Sequence, residues 1–399
     1  MASPLLKDIF IVAAKRTPFG AFGGTLKAMT PTELGVVASK AAIAECGIDA
    51  SKIDSTCFGN VAQTTADGPY LARHVALKAG CANEQPALTV NRLCGSGFQS
   101  IITGCQEIQL GEAEVVLTGG AESMSQAPYA LRNVRWGTGL GTDLKAADTL
   151  WECLTDQHIG TPMAITAENL AEQFDLSKDD CDAYALSSQQ RYEAAKNDGR
   201  FDAEIAPVTI KHRKKGEIEF ATDEHTRPGS TIEGVSKLPA IFKKGGTVSA
   251  GNASGICDGA GAVIIASADA CAEHGLAPLA KVRSYHVSGV DPTIMGFGPV
   301  PAIRGALEKA GLALEDMDLI EINEAFAAQY LACEKELGLD RAISNSNGGA
   351  IAMGHPTGAS GSRIMAHLTH ELKRTGGKYA VGSACIGGGQ GIAIVLESC

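Results

Sequence analysis

Several features are scarce or absent in this sequence of 399 residues, and each absence argues against a class of protein. The chain has no excess of basic residues, and its formal net charge of −11 argues against a general nucleic-acid binder. No apolar run approaches the ~20 residues that a membrane-crossing helix needs. The 12 cysteines form no CxxC pair and follow no visible secretory signal, so we expect free thiols rather than a disulfide framework.

Aromatic residues make up only 5% of the chain, whereas glycine occurs 47 times, often where an apolar run meets a helical pattern. The alternation of strand, glycine-rich turn and helix recurs at "DIFIVAAKRTPFG", "PALTVNRLCGSGFQSIITG", "DLIEINEAFAAQYL" and "KYAVGSACIGGGQGIAIVLE". This alternation predicts an α/β fold with helix-covered mixed sheets. The turns after "ALTVNRL" and "AISNSNGG" resemble each other, which suggests a duplicated fold.

The middle of the chain differs from the rest because it is more polar and carries the charge runs. We interpret residues 122–250 as an inserted helical and loop region that lies over the first core unit and covers the substrate. One of its helices should begin at Ser177, with Asp180 three residues later completing a capping box.

Cys94 is the first candidate for chemistry, because it lies where a strand pattern gives way to "GSG" and then to helical spacing. A cysteine in such a turn is either a small core residue or an activated thiol. The start of a helix supplies unpaired N–H groups and partial positive charge, both of which favour the thiolate.

Three further residues lie at the ends of predicted elements. His355 lies in the glycine-rich segment "GHPTG", Cys385 precedes three glycines in "SACIGGGQG", and Asn323 ends the strand of "EINEAF". Glycines at this density expose backbone N–H groups that an oxyanion could use. Asn323 could instead cap the next helix. No strand–GxGxxG–helix unit exists, so a dinucleotide site is not indicated.

Taken together, these motifs closely resemble those of the thiolase family, and within it the 3-ketoacyl-CoA thiolases of the mitochondrial type. The matching segments are "AAKRTPFG", "NRLCGSGFQS", "GGAESMSQAP", "TAEN", "GNASG", "NEAFA", "GHP" and "SACIGGGQG", in this order over the whole length. The resemblance implies a five-layered αβαβα sandwich of two similar halves with an inserted loop domain. We therefore expect core halves at residues 1–121 plus 251–270 and at residues 271–399, with residues 122–250 inserted.

The resemblance also implies roles for the candidate residues. Cys94 would be the acylated nucleophile, His355 would raise its nucleophilicity, and Cys385 would be the acid and base. Asn323 would hold a water that forms one oxyanion site with His355. The backbone N–H groups of Cys94 and Gly387 would form the other.

Coenzyme A is the expected co-substrate, with no further cofactor and no metal. By resemblance, Arg227 and Ser230 would contact its nucleotide end, and Ser254 its pantetheine arm. The basic runs Lys211–Lys215 and Phe242–Lys244 are also candidates for an anionic ligand, although each could be a solvated loop.

The expected reaction is cleavage of 3-ketoacyl-CoA by coenzyme A in fatty acid β-oxidation. Pro162–Met163 stands where biosynthetic acetoacetyl-CoA thiolases usually carry His-Met, which favours the degradative type, and Thr357 replaces a common aliphatic residue. An acetoacetyl-CoA thiolase, an acyl-CoA thioesterase and a non-enzymatic acyl-CoA carrier remain as alternatives. We expect a homodimer or homotetramer in the mitochondrial matrix, with the cytoplasm as the other possibility because no cleavable presequence is obvious.

Overall fold

The computed structural model describes residues 7–212 and 216–399. Within them the helices are α1 (Pro31–Cys46), α2 (Leu71–Ala79), α3 (Ser96–Leu110), α4 (Thr149–Cys153), α5 (Met163–Gln173), α6 (Lys178–Asn197), α7 (Ile232–Ser236), α8 (Ala268–His274), α9 (Pro299–Ala310), α10 (Ala327–Leu337), α11 (Ala350–Met353) and α12 (Ser360–Thr375). The strands are β1 (Ile9–Arg16), β2 (Gly20–Ala21), β3 (Ser55–Gly59), β4 (Ala87–Val90), β5 (Val115–Ser123), β6 (Tyr129–Leu131), β7 (Ala146–Asp148), β8 (Thr155–Asp156), β9 (Thr161–Pro162), β10 (Val208–His212), β11 (Gly216–Phe220), β12 (Cys257–Ser267), β13 (Ala280–Gly289), β14 (Leu319–Ile322), β15 (Tyr379–Ile386) and β16 (Gln390–Ser398).

The large strands follow one another across the molecule in the order β14-β15-β16-β13-β1-β12-β5-β3-β4, and β2 pairs with β12 beside this path. β1 and β13 pair only at Phe10 with Lys281 and at Ile11 with Ala280, so the sheet divides there into two halves. β3 is parallel to β4 and β5, and β14 is parallel to β15. The remaining pairs of this path are antiparallel, so the predicted mixed sheets are confirmed.

Two helices lie between the halves of the sheet. Phe98 and Ile101 of α3 share one core with Ile364 and Leu368 of α12 and with residues from both halves. α1 and α2 pack on the outer face of the N-terminal half, and α9 and α10 on the outer face of the C-terminal half. The layers are therefore α, β, α, β, α, which confirms the expected five-layered sandwich.

The strands distribute their side chains between these cores with the period of two that a pleated strand requires. In β16, Ile392, Ile394 and Leu396 enter the central core, while Ala393 and Val395 enter the outer core. Because both faces are covered, the strand reads as an almost continuous apolar run.

The two central helices approach one another closely at their first turns. A Cβ on Gly361 would lie 2.2 Å from the backbone N of Phe98, and one on Gly97 would lie 2.5 Å from the backbone N of Ser362. Glycine is required at both positions because backbone atoms occupy the space of a side chain.

The chain between β5 and β12 forms three short hairpins and the helices α4 to α7. α6 begins with the predicted capping box, in which the Ser177 hydroxyl accepts from the N–H of Asp180 and the Asp180 carboxylate accepts from that of Ser177. Buried ion pairs join Arg16 of β1 to Glu204 (2.6 Å) and Asp223 (2.7 Å) in this segment. The predicted boundary before residue 122 falls inside β5.

Among the described residues, every helix is too short or too polar to cross a bilayer.

Candidate active site

Cys94 lies in the sharp turn between β4 and α3, as the sequence predicts; we call residues 91–96 the Cys94 turn. Leu93 has a φ of 46°, in the left-handed region that non-glycine residues rarely adopt. Side chains hold this conformation: Asn91 Oδ1 accepts from the N–H of Leu93 (2.9 Å), and Ser96 Oγ donates to the carbonyl of Leu93 (2.7 Å). The turn therefore places Cys94 just before the first turn of α3.

Opposing influences act on the Cys94 thiol, and burial is the largest of them. Burial, the neighbouring Cys153 thiol and the Glu122 carboxylate raise the pKa of Cys94 to about 12, although N–H groups of Gly387 and of Cys94 itself act against the rise. The predicted help from backbone N–H groups is thus present but is outweighed by burial. The thiol is protonated at neutral pH and needs a base before it can attack a carbonyl.

Cys385 is buried at the end of β15, and a tight turn leads from there into β16. Gly388 and Gly389 in this turn have φ values of 77° and 79°, which explains the run of glycines. Burial first, and then the Cys94 thiol, raise the pKa of Cys385. The two sulfurs are therefore close enough to interact electrostatically.

His355 is buried with its ring held at both nitrogens. Nδ1 lies 2.5 Å from Ser360 Oγ, and Nε2 lies 3.3 Å from Asn323 Nδ2. Since Ser360 Oγ donates to the carbonyl of Pro356 (3.2 Å), we assign the ring hydrogen to Nδ1, so that the Nε2 lone pair accepts from Asn323 Nδ2. Burial lowers the pKa of His355 to about 4, so the imidazole is neutral at neutral pH.

Asn323 follows β14, and its backbone N–H donates to the carbonyl of Ser383 in β15 (2.9 Å). Its Oδ1 is buried and has no hydrogen-bond partner among the described residues. A buried, unpaired acceptor is costly, so a water or ligand is expected there. Asn323 is not a helix cap, because α10 begins at Ala327 with Phe326 at the cap position.

Neighbouring strand ends and turns bring these groups to one region. Ile322 pairs with Ser383 in the parallel ladder of β14 and β15, so Asn323 and Cys385 leave adjacent strands at the same edge. The Cys94 turn packs against the end of β15 at this edge, since a Cβ on Gly95 would lie 2.5 Å from the Ile386 side chain. The structure therefore brings these candidate residues together at element ends.

An apolar cavity of about 330 Å³ opens beside His355. Met163, Trp151 and Phe326 contribute to its lining, and so does Ser254. Met163 also approaches the Cys385 turn, because a Cβ on Gly387 would lie 3.3 Å from its sulfur. The cavity can therefore hold an apolar group next to the imidazole and near the turn that follows Cys385.

Arg227 and Ser230 line a different cavity, of about 290 Å³, together with His225. The Arg227 guanidinium donates to the carbonyl of His225 (2.5 Å), and Ser230 Oγ donates to the carbonyl of Arg227 (2.6 Å). Burial, and then the charge of Arg227, lower the pKa of His225 to about 4. Arginine therefore supplies the positive charge of this cavity while the histidine stays neutral.

The structure describes the second basic run in full and the first only in part. Residues 213–215 of the run Lys211–Lys215 lie outside the described residues. In the run Phe242–Lys244, Lys243 forms an ion pair with Glu172, and Phe242 lines the apolar cavity.

Sequence reasoning did not single out Glu122, although the structure places its buried carboxylate among the site residues. It accepts hydrogen bonds from the side chains of Asn60 and Thr357 and from the backbone N–H groups of Val61, Ala62 and Gly358. Burial outweighs these bonds and raises its pKa to about 7. The available signal was a carboxylate at the end of the apolar strand "VVLTGGAES", where an acidic residue is rarely buried without partners.

Two thiols near backbone N–H donors, in the same region as a neutral imidazole whose Nε2 is unprotonated, fit covalent acyl transfer through cysteine. Comparison with known proteins agrees. The thiolase N-terminal domain matches residues 9–269, and the thiolase C-terminal domain matches residues 276–398.

Relatives match over the full chain. The human protein "3-ketoacyl-CoA thiolase, mitochondrial" is 62% identical over 394 residues, which cover 99% of each chain. An acetyl-CoA acetyltransferase of Pseudomonas aeruginosa is 47% identical over 98% of this chain and 99% of that one. The crystal structure of human mitochondrial 3-ketoacyl-CoA thiolase in complex with CoA superimposes with a TM-score of 0.98, at 61% identity, over 100% of both chains. The chain therefore belongs to the thiolase family and is an acyltransferase.

Proposed function

We infer that the protein cleaves a 3-ketoacyl-CoA with coenzyme A to give acetyl-CoA and a shortened acyl-CoA, through an acyl-cysteine. The observation that carries this inference is that the Cys94 turn packs on Ile386, the residue after Cys385, where the Cys94 thiol also influences the pKa of Cys385. One thiol cannot carry the acyl group and transfer a proton at the same time. Two thiols can divide these tasks.

In the first half-reaction, His355 takes the proton of Cys94, and the thiolate attacks the 3-keto carbonyl. The bond between C2 and C3 of the substrate then breaks, and the acyl group stays on Cys94. The electron pair of that bond leaves with the acetyl-CoA fragment as an enolate. The Cys385 thiol donates its proton to this enolate and so completes acetyl-CoA.

In the second half-reaction, the Cys385 thiolate removes the proton of the incoming coenzyme A thiol. The coenzyme A sulfur attacks the acyl group on Cys94, the thioester bond to Cys94 breaks, and the shortened acyl-CoA leaves. His355 returns its proton to the Cys94 thiolate, so both sulfurs recover their starting state. Cys385 is thereby assigned as the general acid and base, and Cys94 as the nucleophile that carries the acyl group.

Two oxyanions arise along this path, and separate donors suit each of them. The N–H groups of Cys94 and Gly387 suit the tetrahedral intermediate on Cys94, because both act to lower the pKa of its thiol. A water held by Asn323, together with His355, suits the enolate oxygen. The unpaired Oδ1 of Asn323 supports such a water.

We propose that the nucleotide end of coenzyme A binds in the cavity of Arg227 and Ser230 and that its pantetheine arm passes Ser254. In support, Arg227 provides positive charge in a protein whose net charge is −11. Ser254 lies at the apolar cavity that contains His355. Coenzyme A is a co-substrate in this scheme, and no step requires a metal.

The apolar cavity supports substrates longer than acetoacetyl-CoA, because its Met163, Trp151 and Phe326 side chains suit an alkyl chain. We propose a degradative role in β-oxidation for this reason. A biosynthetic acetoacetyl-CoA thiolase is the second candidate, since relatives with 47% and 45% identity are called acetyl-CoA acetyltransferases.

We propose that residues 122–250 are inserted in the N-terminal core half, which comprises residues 1–121 plus 251–270, and that residues 271–399 form the C-terminal core half. The insertion binds coenzyme A and contributes oligomer contacts. Trp136 and Leu140 of this insertion are exposed, which supports a homotetramer built from dimers. We place the protein in the mitochondrial matrix, since relatives with 62% identity are described as mitochondrial.

Thiolysis of acetoacetyl-CoA and of a longer 3-ketoacyl-CoA, each with free coenzyme A, tests this function through the loss of enolate absorbance. We expect a higher kcat/KM for the longer substrate. Preference for acetoacetyl-CoA would favour the biosynthetic candidate, and no absorbance loss with either substrate would refute thiolysis. Free thiol released from acyl-CoA without an acceptor would instead indicate a thioesterase.

A further inference from the structure

The Glu122 carboxylate lies between two segments that carry site residues. The first is the Cys94 turn, and the second is the segment of residues 354–358, which we call the His355 loop. Glu122 Oε2 accepts from Thr357 Oγ1 and from the N–H of Gly358, both at 2.9 Å. Glu122 is therefore bonded directly to the His355 loop.

The connection from Glu122 to the Cys94 turn runs through a single residue. The N–H of Val61 donates to Glu122 Oε2 (3.0 Å), and the carbonyl of Val61 accepts from Asn91 Nδ2 (3.1 Å). Asn91 Oδ1 in turn accepts from the N–H of Leu93, directly before Cys94. A continuous hydrogen-bond path thus joins the two segments.

We propose that Glu122 is a positioning residue that fixes His355 relative to Cys94, and that the hydroxyl of Thr357 is the donor that keeps its carboxylate in the ionised, accepting state. A carboxylate can accept all five bonds at once. A protonated carboxyl group must donate one hydrogen, so at least one of the N–H or O–H donors loses its partner. The hydrogen bonds that hold the His355 loop to Glu122 are therefore weakened when Glu122 takes up a proton.

The surroundings of Glu122 make its titration observable. Titratable groups near it are Cys94, Cys153 of α4 and His355, and β12 presents Gly259 to it, next to Asp258, whose pKa is raised by burial. The pKa values of the two thiols are raised to about 12 and about 11, and that of His355 is lowered to about 4. Burial raises the pKa of Glu122 to about 7. Among the hydrogen bonds that lower this pKa, the one from the Thr357 hydroxyl has the largest effect. Of Cys94, Cys153, His355 and Glu122, only Glu122 has a pKa near neutrality.

Thr357 offers a test that leaves the carboxylate in place. Thr357→Val removes the donor and keeps the shape, whereas Thr357→Ser keeps the donor and removes only a methyl group. The pH dependence of kcat/KM for thiolysis reports groups of the free enzyme and is measured for the parent and both variants from about pH 5 to about pH 9. Circular dichroism verifies that each variant is folded.

We expect the acid limb of the parent profile near pH 7, because activity falls as Glu122 is protonated. Loss of a hydrogen bond to the charged form raises the pKa of Glu122, so Thr357→Val moves the limb upward by about one pH unit. Thr357→Ser keeps the acid limb at the same pH as the parent, even where its kcat differs. Glu122→Gln, if it folds, lacks this limb.

Equal limb positions in the parent and in Thr357→Val would overturn the proposal, and so would equal shifts in Thr357→Val and Thr357→Ser. A purely structural role for Thr357 would lower stability without moving the limb. The inference rests on the proposed function, because it is measured by thiolysis. A parent protein without thiolysis would refute both, whereas an active parent with an unmoved limb in Thr357→Val would refute only the role of Glu122.

Discussion

At the scale of single residues, the two thiols are electrostatically coupled but differently placed. Two N–H groups, its own and that of Gly387, act on the Cys94 thiol, whereas Cys385 is fully buried at a strand end with its own N–H acting on its thiol. The arrangement at Cys94 suits a sulfur that forms a thioester, because the carbonyl oxygen of the bound acyl group needs hydrogen-bond donors. The buried position of Cys385 suits a thiol that exchanges its proton with the substrate and not with solvent.

This difference predicts unequal effects of two alanine variants. Cys385→Ala should still be acylated by acyl-CoA, while thiolysis falls by roughly 10²–10⁴-fold, the usual contribution of a general acid or base. Cys94→Ala should lose both acylation and thiolysis. Intact-protein mass spectrometry measures the acyl-enzyme, and the enolate absorbance measures thiolysis.

Cys271→Ala is a matched control, because Cys271 is also buried but lies in α8, away from the candidate residues. It should keep acylation and thiolysis. If Cys94→Ala and Cys385→Ala lost acylation to the same extent, the division of labour between the thiols would be wrong.

Sequence reasoning identified the candidate residues that stand in unusual local patterns, and it missed those whose role depends on distant partners. Cys94, Cys385 and His355 each stand in a glycine-rich turn that is visible in the sequence. Glu122 is separated by 235 positions from Thr357, which donates to it, and nothing local marks that pair. The rise in the pKa of Cys94 was also missed, because burial depends on the whole fold.

At the scale of secondary-structure elements, the site depends on how closely α3 and α12 approach. α3 follows the Cys94 turn, and α12 follows the His355 loop, so a shift between these helices would separate Cys94 from His355. Glycines at the crossing allow the contact between backbones.

Gly361→Ala should therefore destabilise the protein by about 1–3 kcal/mol through overpacking, despite the better helix propensity of alanine. Thermal unfolding measures the change as a lower midpoint temperature. Gly234→Ala in α7 is the control, because its Cβ would meet only the Thr231 hydroxyl at 3.5 Å. An unchanged midpoint for Gly361→Ala would contradict the tight crossing.

Local signals were sufficient for elements but not for their arrangement. The capping box at Ser177 and the strand from Ile9 were predictable because neighbouring residues determine them. The order of the strands, and the placement of α3 and α12 in one central layer, depend on contacts between distant parts of the chain. For these the sequence offered only the faint internal repeat and the family resemblance.

At the scale of the whole molecule, the exposed apolar side chains of the insertion call for a partner surface. Trp136 and Leu140 lie between β6 and β7 and are almost fully exposed, which is unfavourable in water unless another subunit covers them.

We expect the double variant Trp136→Ser, Leu140→Ser to convert the proposed tetramer into a dimer and to keep thiolysis. Light scattering after size exclusion measures the mass. Leu110→Ser is the control, since Leu110 is an exposed leucine at the end of α3, outside the insertion. A variant that remains tetrameric, or a parent that is not tetrameric, would contradict this assembly.

The attachment of the acyl group to the protein is tested most directly by mixing the purified enzyme with acetyl-CoA, quenching, and sequencing its peptides by mass spectrometry. We predict one added acetyl group, on the sulfur in "NRLCGSGFQS", and its disappearance when excess coenzyme A is supplied. Acetyl on Cys385 instead, or no covalent acetyl at all, would contradict the assignment of Cys94 as nucleophile.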